Sequence, residues 1–220
     1  MLIAKTMIEI TVNNRNIQAE EGLSILEACL QNDIYIPNLC FLKGMDHPPA
    51  SCRLCFVEIE GAKAPETSCN RAIEDKMVIR TDTPEVRGLQ RSALQLLLSV
   101  HDVDCGHCVA NKRCELQKIA KFLKVGLKPK HLEQLAGKTD PLEVYPALFY
   151  FQNRCVLCGR CIHVCGTRNG RPLMAFAKRG FHTEISFYRK DDNTGHDCLQ
   201  CLSCVEACPA GALMGKGREV

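Results

Sequence analysis

The chain has no tryptophan and only 5% aromatic residues among its 220. No basic run with interleaved aromatics occurs, so nothing in it signals nucleic-acid binding. Its longest apolar stretch, residues 93–100, falls far short of the ~20 residues of a membrane span. A secretory leader is not visible either, because Lys5 and Glu9 interrupt the first ten residues. That points to a reducing, cytoplasmic setting. No G-x-G-x-x-G follows a strand pattern and no glycine-rich phosphate loop is found, so no nucleotide or flavin site is legible. Gly166 and Gly170, flanking Thr-Arg-Asn, read as an ordinary loop.

Cysteine is what the chain has in excess: 16 residues, of which fifteen fall into four blocks. These are Cys40-x11-Cys52-x2-Cys55-x13-Cys69, then His101-x3-Cys105-x2-Cys108-x5-Cys114. Two tight runs follow, Cys155-x2-Cys158-x2-Cys161-x3-Cys165 and Cys198-x2-Cys201-x2-Cys204-x3-Cys208-Pro209. Such density in a secreted chain would suggest a disulfide framework, but tight C-x2-C pairs suit metal clips in a reducing compartment better. Thiolates select iron–sulfur clusters, zinc or copper(I). A zinc site needs only two such pairs and leaves the third cysteine of each tight run without a role. A zinc-stabilised interaction protein is the alternative of another class. Four oxidised clusters on fifteen thiolates would also turn the formal charge of +3 into about −4, so the Lys/Arg excess compensates anionic clusters.

Local patterns place these blocks in an α+β architecture. Ile8, Ile10 and Val12 alternate with polar residues, Asn13-Asn14 suits a turn, and residues 15–19 return as a hairpin. Ser24-x-x-Glu27 is a capping box opening a helix. Residues 55–60 and 77–81 read as two further strands, completing a β-grasp kind of unit over residues 1–82. Thr83-Pro84 starts an amphipathic helix over 84–100, with Val86, Leu89, Ala93, Leu97 and Val100 on one side and His101 at its end. A second helix is expected over 114–124. Gly126, Pro129, Gly137, Pro141 and Pro146 then punctuate a connector, giving a helical unit over 83–145. Residues 155–165 and 198–208 are an internal repeat in a third unit, 146–220. Between them, residues 179–188 alternate as one strand.

In two-cluster ferredoxins the fourth cysteine of each run ligates the other cluster. The two runs are therefore expected to hold one 4Fe–4S cube on Cys155, Cys158, Cys161 and Cys208. The other cube would sit on Cys198, Cys201, Cys204 and Cys165. Pro209 follows Cys208 as in such runs, whereas Gly166 follows Cys165, a small departure.

The first block resembles 2Fe–2S ferredoxins, with gaps that depart from the plant-type C-x4-C opening. Its variant looks like the N-terminal domain of FeFe-hydrogenases and of the large iron–sulfur subunit of respiratory complex I. His47 in its long loop is read as a loop residue. In the second block His101 occupies the position of the His ligand in the three-Cys, one-His 4Fe–4S domain of those two families. His107 is the competing candidate. Cys29, on the apolar face of the first helix, is read as a buried structural thiol.

All four blocks in this order resemble the accessory electron-transfer region of FeFe-hydrogenases and the small diaphorase-side subunit of NAD-linked NiFe-hydrogenases. They also resemble the N-terminal part of NAD-dependent formate dehydrogenases; the complex I subunit matches only the first two blocks. The resemblance implies one 2Fe–2S and three 4Fe–4S clusters in a subunit of a hetero-oligomer. Its expected partners are a flavoprotein that oxidises NAD(P)H and a catalytic subunit, foremost a NiFe-hydrogenase. Only twelve residues follow Cys208, leaving no room for a hydrogen-activating iron domain, and no C-x2-C pair is spare for nickel. The chain is therefore expected to conduct electrons without an active site of its own. A compact chain of this length has a radius of gyration of roughly 17 Å, so neighbouring clusters are expected within tunnelling reach.

Overall fold

The computed structural model describes residues 6–128, 130–135, 139–146, 148–188 and 201–215. The chain divides into two compact units, Met1–Leu94 and Gln95–Val220.

In the first unit β1 (Met7–Val12) and β2 (Arg15–Glu20) form an antiparallel hairpin. Asn13 and Asn14 both take positive φ, 49° and 66°, as a tight two-residue turn requires. The side chain of Asn13 then fastens the turn to the sheet. Its Nδ2 donates to Thr81 Oγ1 at 2.7 Å and its Oδ1 accepts from Thr81 N at 2.9 Å. Strands β3 (Phe56–Ile59), β4 (Glu66–Thr67) and β5 (Val78–Arg80) complete a mixed sheet in the order β2-β1-β5-β3-β4. Only the β1–β5 pair is parallel. Helix α1 (Ile25–Gln31) is capped by Ser24, whose hydroxyl accepts from Glu27 N while Glu27 Oε2 accepts from Ser24 N, the reciprocal capping box. Ile25, Leu26, Ala28 and Cys29 of α1 pack with Ile10, Val12, Val57 and Ile79 in one core. Helix α2 (Pro84–Ser99) starts at Thr83, whose Oγ1 accepts from Val86 N at 3.2 Å. The fully buried Gln90 of α2 is satisfied by donating to Phe56 O at 3.1 Å.

In the second unit α3 (Glu115–Leu123) buries Leu116, Ile119, Ala120 and Leu123. The expected connector contains more structure than its prolines suggest. Strands β6 (Leu142–Tyr145) and β7 (Leu148–Tyr150) pair antiparallel. Then come α4 (Arg160–Asn169), β8 (Met174–Ala177), β9 (Glu184–Phe187), a short helix α5 (Ser203–Ala207) and β10 (Leu213–Gly215). β10 joins β7, so a three-stranded sheet β10-β7-β6 ties the two ends of the internal repeat together. Residues 166–169, expected as a loop, are the last turn of α4; Gly170, with φ +70°, caps it. The single strand expected over 179–188 is instead a turn over Gly180–His182 followed by β9, which pairs with β8. Tyr145 and Tyr150 pack on Phe187, and Leu148, Met174, Ile185 and Leu213 fill the same core.

Candidate metal centres

Burial and proximity distinguish the cysteine blocks from ordinary thiols. Among the described residues every cysteine is a free thiol. Cys40, Cys52, Cys55 and Cys69 are all buried, at 1–4% exposure. Their sulfurs meet: Cys40 and Cys52 Sγ lie 3.4 Å apart, Cys40 also bonds Cys69, and Cys69 bonds Cys55. Hydrogen bonds from its neighbours favour a thiolate at Cys40, and one from Cys69 does so at Cys55. The same bonds and burial hold the protons on Cys52 and Cys69. Four sulfurs that compete for protons in this way are fully deprotonated only when a cation replaces those protons. Cys55 leads directly into β3, and Cys69 follows β4. Cys29 lies in the same unit but inside the helix core, where burial pushes its thiol up to about 12.

The second block is built around a buried imidazole. His101 is 7% exposed and its Nδ1 lies 3.0 Å from Arg154 O. A carbonyl only accepts, so Nδ1 carries the proton and donates, leaving Nε2 with its lone pair for a metal. Burial, foremost, holds the ring's pKa below the usual histidine value and keeps it neutral. Gln134 Nε2 adds a bond to His101 O at 2.8 Å. His107 has a different setting: its side chain is 85% exposed and its Nδ1 faces the Asp104 carboxylate at 2.9 Å. Cys114 is the N-cap of α3, with the backbone N–H groups of Gln117 and Leu116 drawing its thiol down against the upward push of burial. Cys105 and Cys108 are close enough to Cys114 for a thiolate on either to raise its pKa.

The second and fourth blocks are in direct contact. Cys114 Sγ lies 3.6 Å from Pro209 O, and Glu115 N donates to the same carbonyl at 3.0 Å. Gly211 explains how close they come. A Cβ there would sit 2.8 Å from Ala110 Cβ and 3.1 Å from Cys108 Sγ, and φ is +67°. Only glycine fits this approach.

In the paired runs, Cys155, Cys158, Cys161 and Cys208 line one apolar cavity, with Tyr150, Ile185 and Phe187 as further walls. Thus three cysteines of one run meet the fourth of the other. Burial raises the thiols of Cys155, Cys158 and Cys161, Cys158 to about 12, and Cys208 adds like-charge repulsion to each. Among the described residues the buried Tyr150 hydroxyl has no normal hydrogen bond, yet it lies near enough to Cys155 to draw that thiol down. Cys208 Sγ accepts from Ala212 N at 3.2 Å. Cys165, one turn beyond Cys161 on α4, accepts from Asn169 Nδ2 and Leu173 N, both at 3.3 Å. Cys201 is exposed, with Ser203 Oγ at 3.3 Å lowering its pKa, and Cys204 lies close enough to Cys161 to affect it. Cys198 lies outside the described residues. Tyr150 and Arg154 lie outside the cysteine motifs, and only the folded chain singles them out.

No three of His, Cys, Asp and Glu among the described residues close around a point that would hold a single ion. A cluster distributes its ligands over several irons, so its cysteines surround a space instead. The described residues fit such groups: sulfurs line an apolar space, N–H groups are aimed at Cys165 and Cys208, and a glycine clears the way at Cys108.

Family models match each of the three regions. Residues 5–84 match a 2Fe-2S iron-sulfur cluster binding domain, and residues 90–127 the NADH-ubiquinone oxidoreductase-G iron-sulfur binding region. Residues 154–213 match a 4Fe-4S dicluster domain. The chain is 32% identical over 208 residues to an NADH-quinone oxidoreductase subunit of Rhizobium meliloti, covering 94% of this chain and 24% of that protein. It is 30% identical over 213 residues to the NADP-reducing hydrogenase subunit HndD of Solidesulfovibrio fructosivorans, covering 95% of this chain and 36% of that protein. It thus spans about a quarter to a third of the length of these curated relatives. A chain in the crystal structure of an NAD+-reducing NiFe-hydrogenase in the H2-reduced state superposes with a TM-score of 0.84 at 25% identity, covering 96% of this chain and 88% of that one. No helix among the described residues is long and apolar enough to cross a membrane. The chain therefore carries a 2Fe–2S binding domain followed by 4Fe–4S binding domains, and along nearly its whole length it resembles iron–sulfur subunits of NAD(P)-linked hydrogenases and complex I-like oxidoreductases.

Proposed function

We propose that this chain is an electron-relay subunit with one 2Fe–2S and three 4Fe–4S clusters. Cys40, Cys52, Cys55 and Cys69 hold the first on a β-grasp domain, and His101, Cys105, Cys108 and Cys114 hold the second in a small helical domain. A bacterial-type two-cluster ferredoxin domain holds the other two, one on Cys155, Cys158, Cys161 and Cys208, the other on Cys165, Cys198, Cys201 and Cys204. When bound, clusters of this kind take up and give out single electrons. The observation that carries this reading is the cavity shared by Cys155, Cys158, Cys161 and Cys208. Cys208 lines it together with three cysteines of the earlier run, which supports the cross-over ligation of two-cluster ferredoxins.

The protein's own residues supply the surroundings. His101 stays neutral and aims Nε2 away from Arg154 O, while Leu173 N and Ala212 N donate to cysteine sulfurs. Its partners are a flavoprotein handling NAD(P)H and a NiFe-hydrogenase catalytic subunit in a cytoplasmic hetero-oligomer. The likeness over 88% of a chain from an NAD+-reducing NiFe-hydrogenase favours this reading. A complex I-like partner is the second reading, favoured by the match to an NADH-quinone oxidoreductase subunit.

Metal analysis tests the cluster assignment. Anaerobically purified protein is expected to contain about 14 iron and as many labile sulfides per chain, and His101→Ala about 10. Stoichiometric zinc, or an intact fourth cluster in the His101→Ala protein, would refute the assignment.

A further inference from the structure

Arg154 is only 7% exposed, a rare place for a guanidinium. Its Nη2 donates to His107 O at 3.3 Å and its cation lies 4.3 Å over the Phe151 ring. Nε and Nη1 are buried, with no hydrogen-bond partner among the described residues. A cation so placed is costly unless an anion compensates it. The same residue, through its main-chain carbonyl, accepts the His101 Nδ1 proton at 3.0 Å. The neighbouring turn is also pinned to the histidine's segment, since Asp102 N donates to Asn153 O at 2.7 Å and Asn153 Nδ2 to Asp102 Oδ2 at 3.1 Å.

Among the described residues, Arg154 acts on two titratable neighbours. Its field reaches His101 and Asp104, helping to hold the pKa of each down. Asp104, however, is exposed and already bonded to the His107 ring. The anion still required is the one the proposed function provides. Three thiolates, Cys105, Cys108 and Cys114, around a 2+ core leave a net negative centre, which becomes more negative on reduction.

We propose that Arg154 is a positioning residue for the His101 centre, its carbonyl fixing the imidazole and its guanidinium serving as the buried countercharge that raises that centre's reduction potential. The inference rests on the reading that His101 and these three cysteines hold a cluster. A fixed cation stabilises the reduced, more negative state more than the oxidised one, and net charge and hydrogen bonding set such potentials.

The two roles separate experimentally, because Arg154→Gln removes the charge but keeps the main-chain carbonyl. Iron content and EPR-monitored redox titration are measured on anaerobic wild-type, Arg154→Gln and Arg154→Lys proteins. In Arg154→Gln the His101 centre is expected to be harder to reduce by at least tenfold, about 59 mV for one electron. Its iron should be full and the 2Fe–2S signal unmoved. Arg154→Lys should restore most of the shift. An unmoved potential in Arg154→Gln, or a potential in Arg154→Lys as low as in Arg154→Gln, overturns the proposal. If Arg154→Gln loses this cluster, retention by Arg154→Lys supports the charge role and loss from both overturns it. Wild-type protein lacking the cluster defeats the functional reading, and this inference with it, before any substitution is compared.

Discussion

Cys29 and the other cysteines are the same residue type, and their surroundings set them apart. Cys29 is fully buried on α1 among Ile25 and Leu26, and burial raises its thiol to about 12. Thiolate is the reactive form, so Cys29 should resist alkylation in the folded protein at pH 8 and react once urea exposes it. The same shift couples to stability. The folded pKa lies above the unfolded value near 9, so the unfolded chain loses its proton first. Stability from this source is complete below about pH 9 and falls between about 9 and 12, by at most ~1.4 kcal/mol per pH unit. Denaturant melts of wild type and Cys29→Ala between pH 8 and 10.5 should show a shallower alkaline decline in the variant. Equal slopes would refute the assignment of the shift to Cys29.

Elements matter here chiefly because they carry sulfurs to fixed places. α1 is short, and its start depends on the reciprocal Ser24–Glu27 bonds. Ser24→Ala should therefore destabilise the first unit by ~1 kcal/mol in urea unfolding while leaving the 2Fe–2S spectrum unchanged. A loss of the spectrum in otherwise folded protein would mean that α1 also shapes the cluster loop. Cys114 caps the start of α3 and α4 carries both Cys161 and Cys165, so helix starts and helix faces place three of the ligands proposed. The β10-β7-β6 sheet does the corresponding work for Cys155 and Cys208, which follow β7 and precede β10. These strands are three or four residues long. Alternation over so few residues is no longer than chance, and prolines at 141 and 146 disguised β6 as connector. The turn at Gly180–His182 likewise broke an alternation that looked continuous in sequence.

At the scale of the whole molecule, an electron relay of the kind proposed needs partners at both ends. The purified chain should be reduced by dithionite but show no turnover of NADH, hydrogen or formate in dye-linked assays. The legible motifs are all cluster ligands, and chemistry needs a site of its own. Sustained NADH or hydrogen turnover by the chain alone would contradict this. Metal analysis of the native complex identifies the catalytic partner: nickel supports the hydrogenase reading, while molybdenum or tungsten would assign it to a formate dehydrogenase.

The candidate ligands were legible in the sequence because a cluster demands thiols at short, fixed intervals, and that demand is written in residue number. The hairpin with its Asn13–Asn14 turn, the capping box and the starts of α2 and α3 were legible for a similar reason, since each depends on neighbours within a few positions. Tertiary structure decided what depends on distant residues meeting. It brought Cys208 to Cys155, Cys158 and Cys161, placed Gly211 against Cys108, and paired β7 with β10 across more than sixty residues. It also buried Arg154 with its carbonyl on the His101 ring and left His107 in solvent, although the two histidines lie six positions apart. Spacing names a residue that could bind metal; only packing determines which nitrogen is left free to do so.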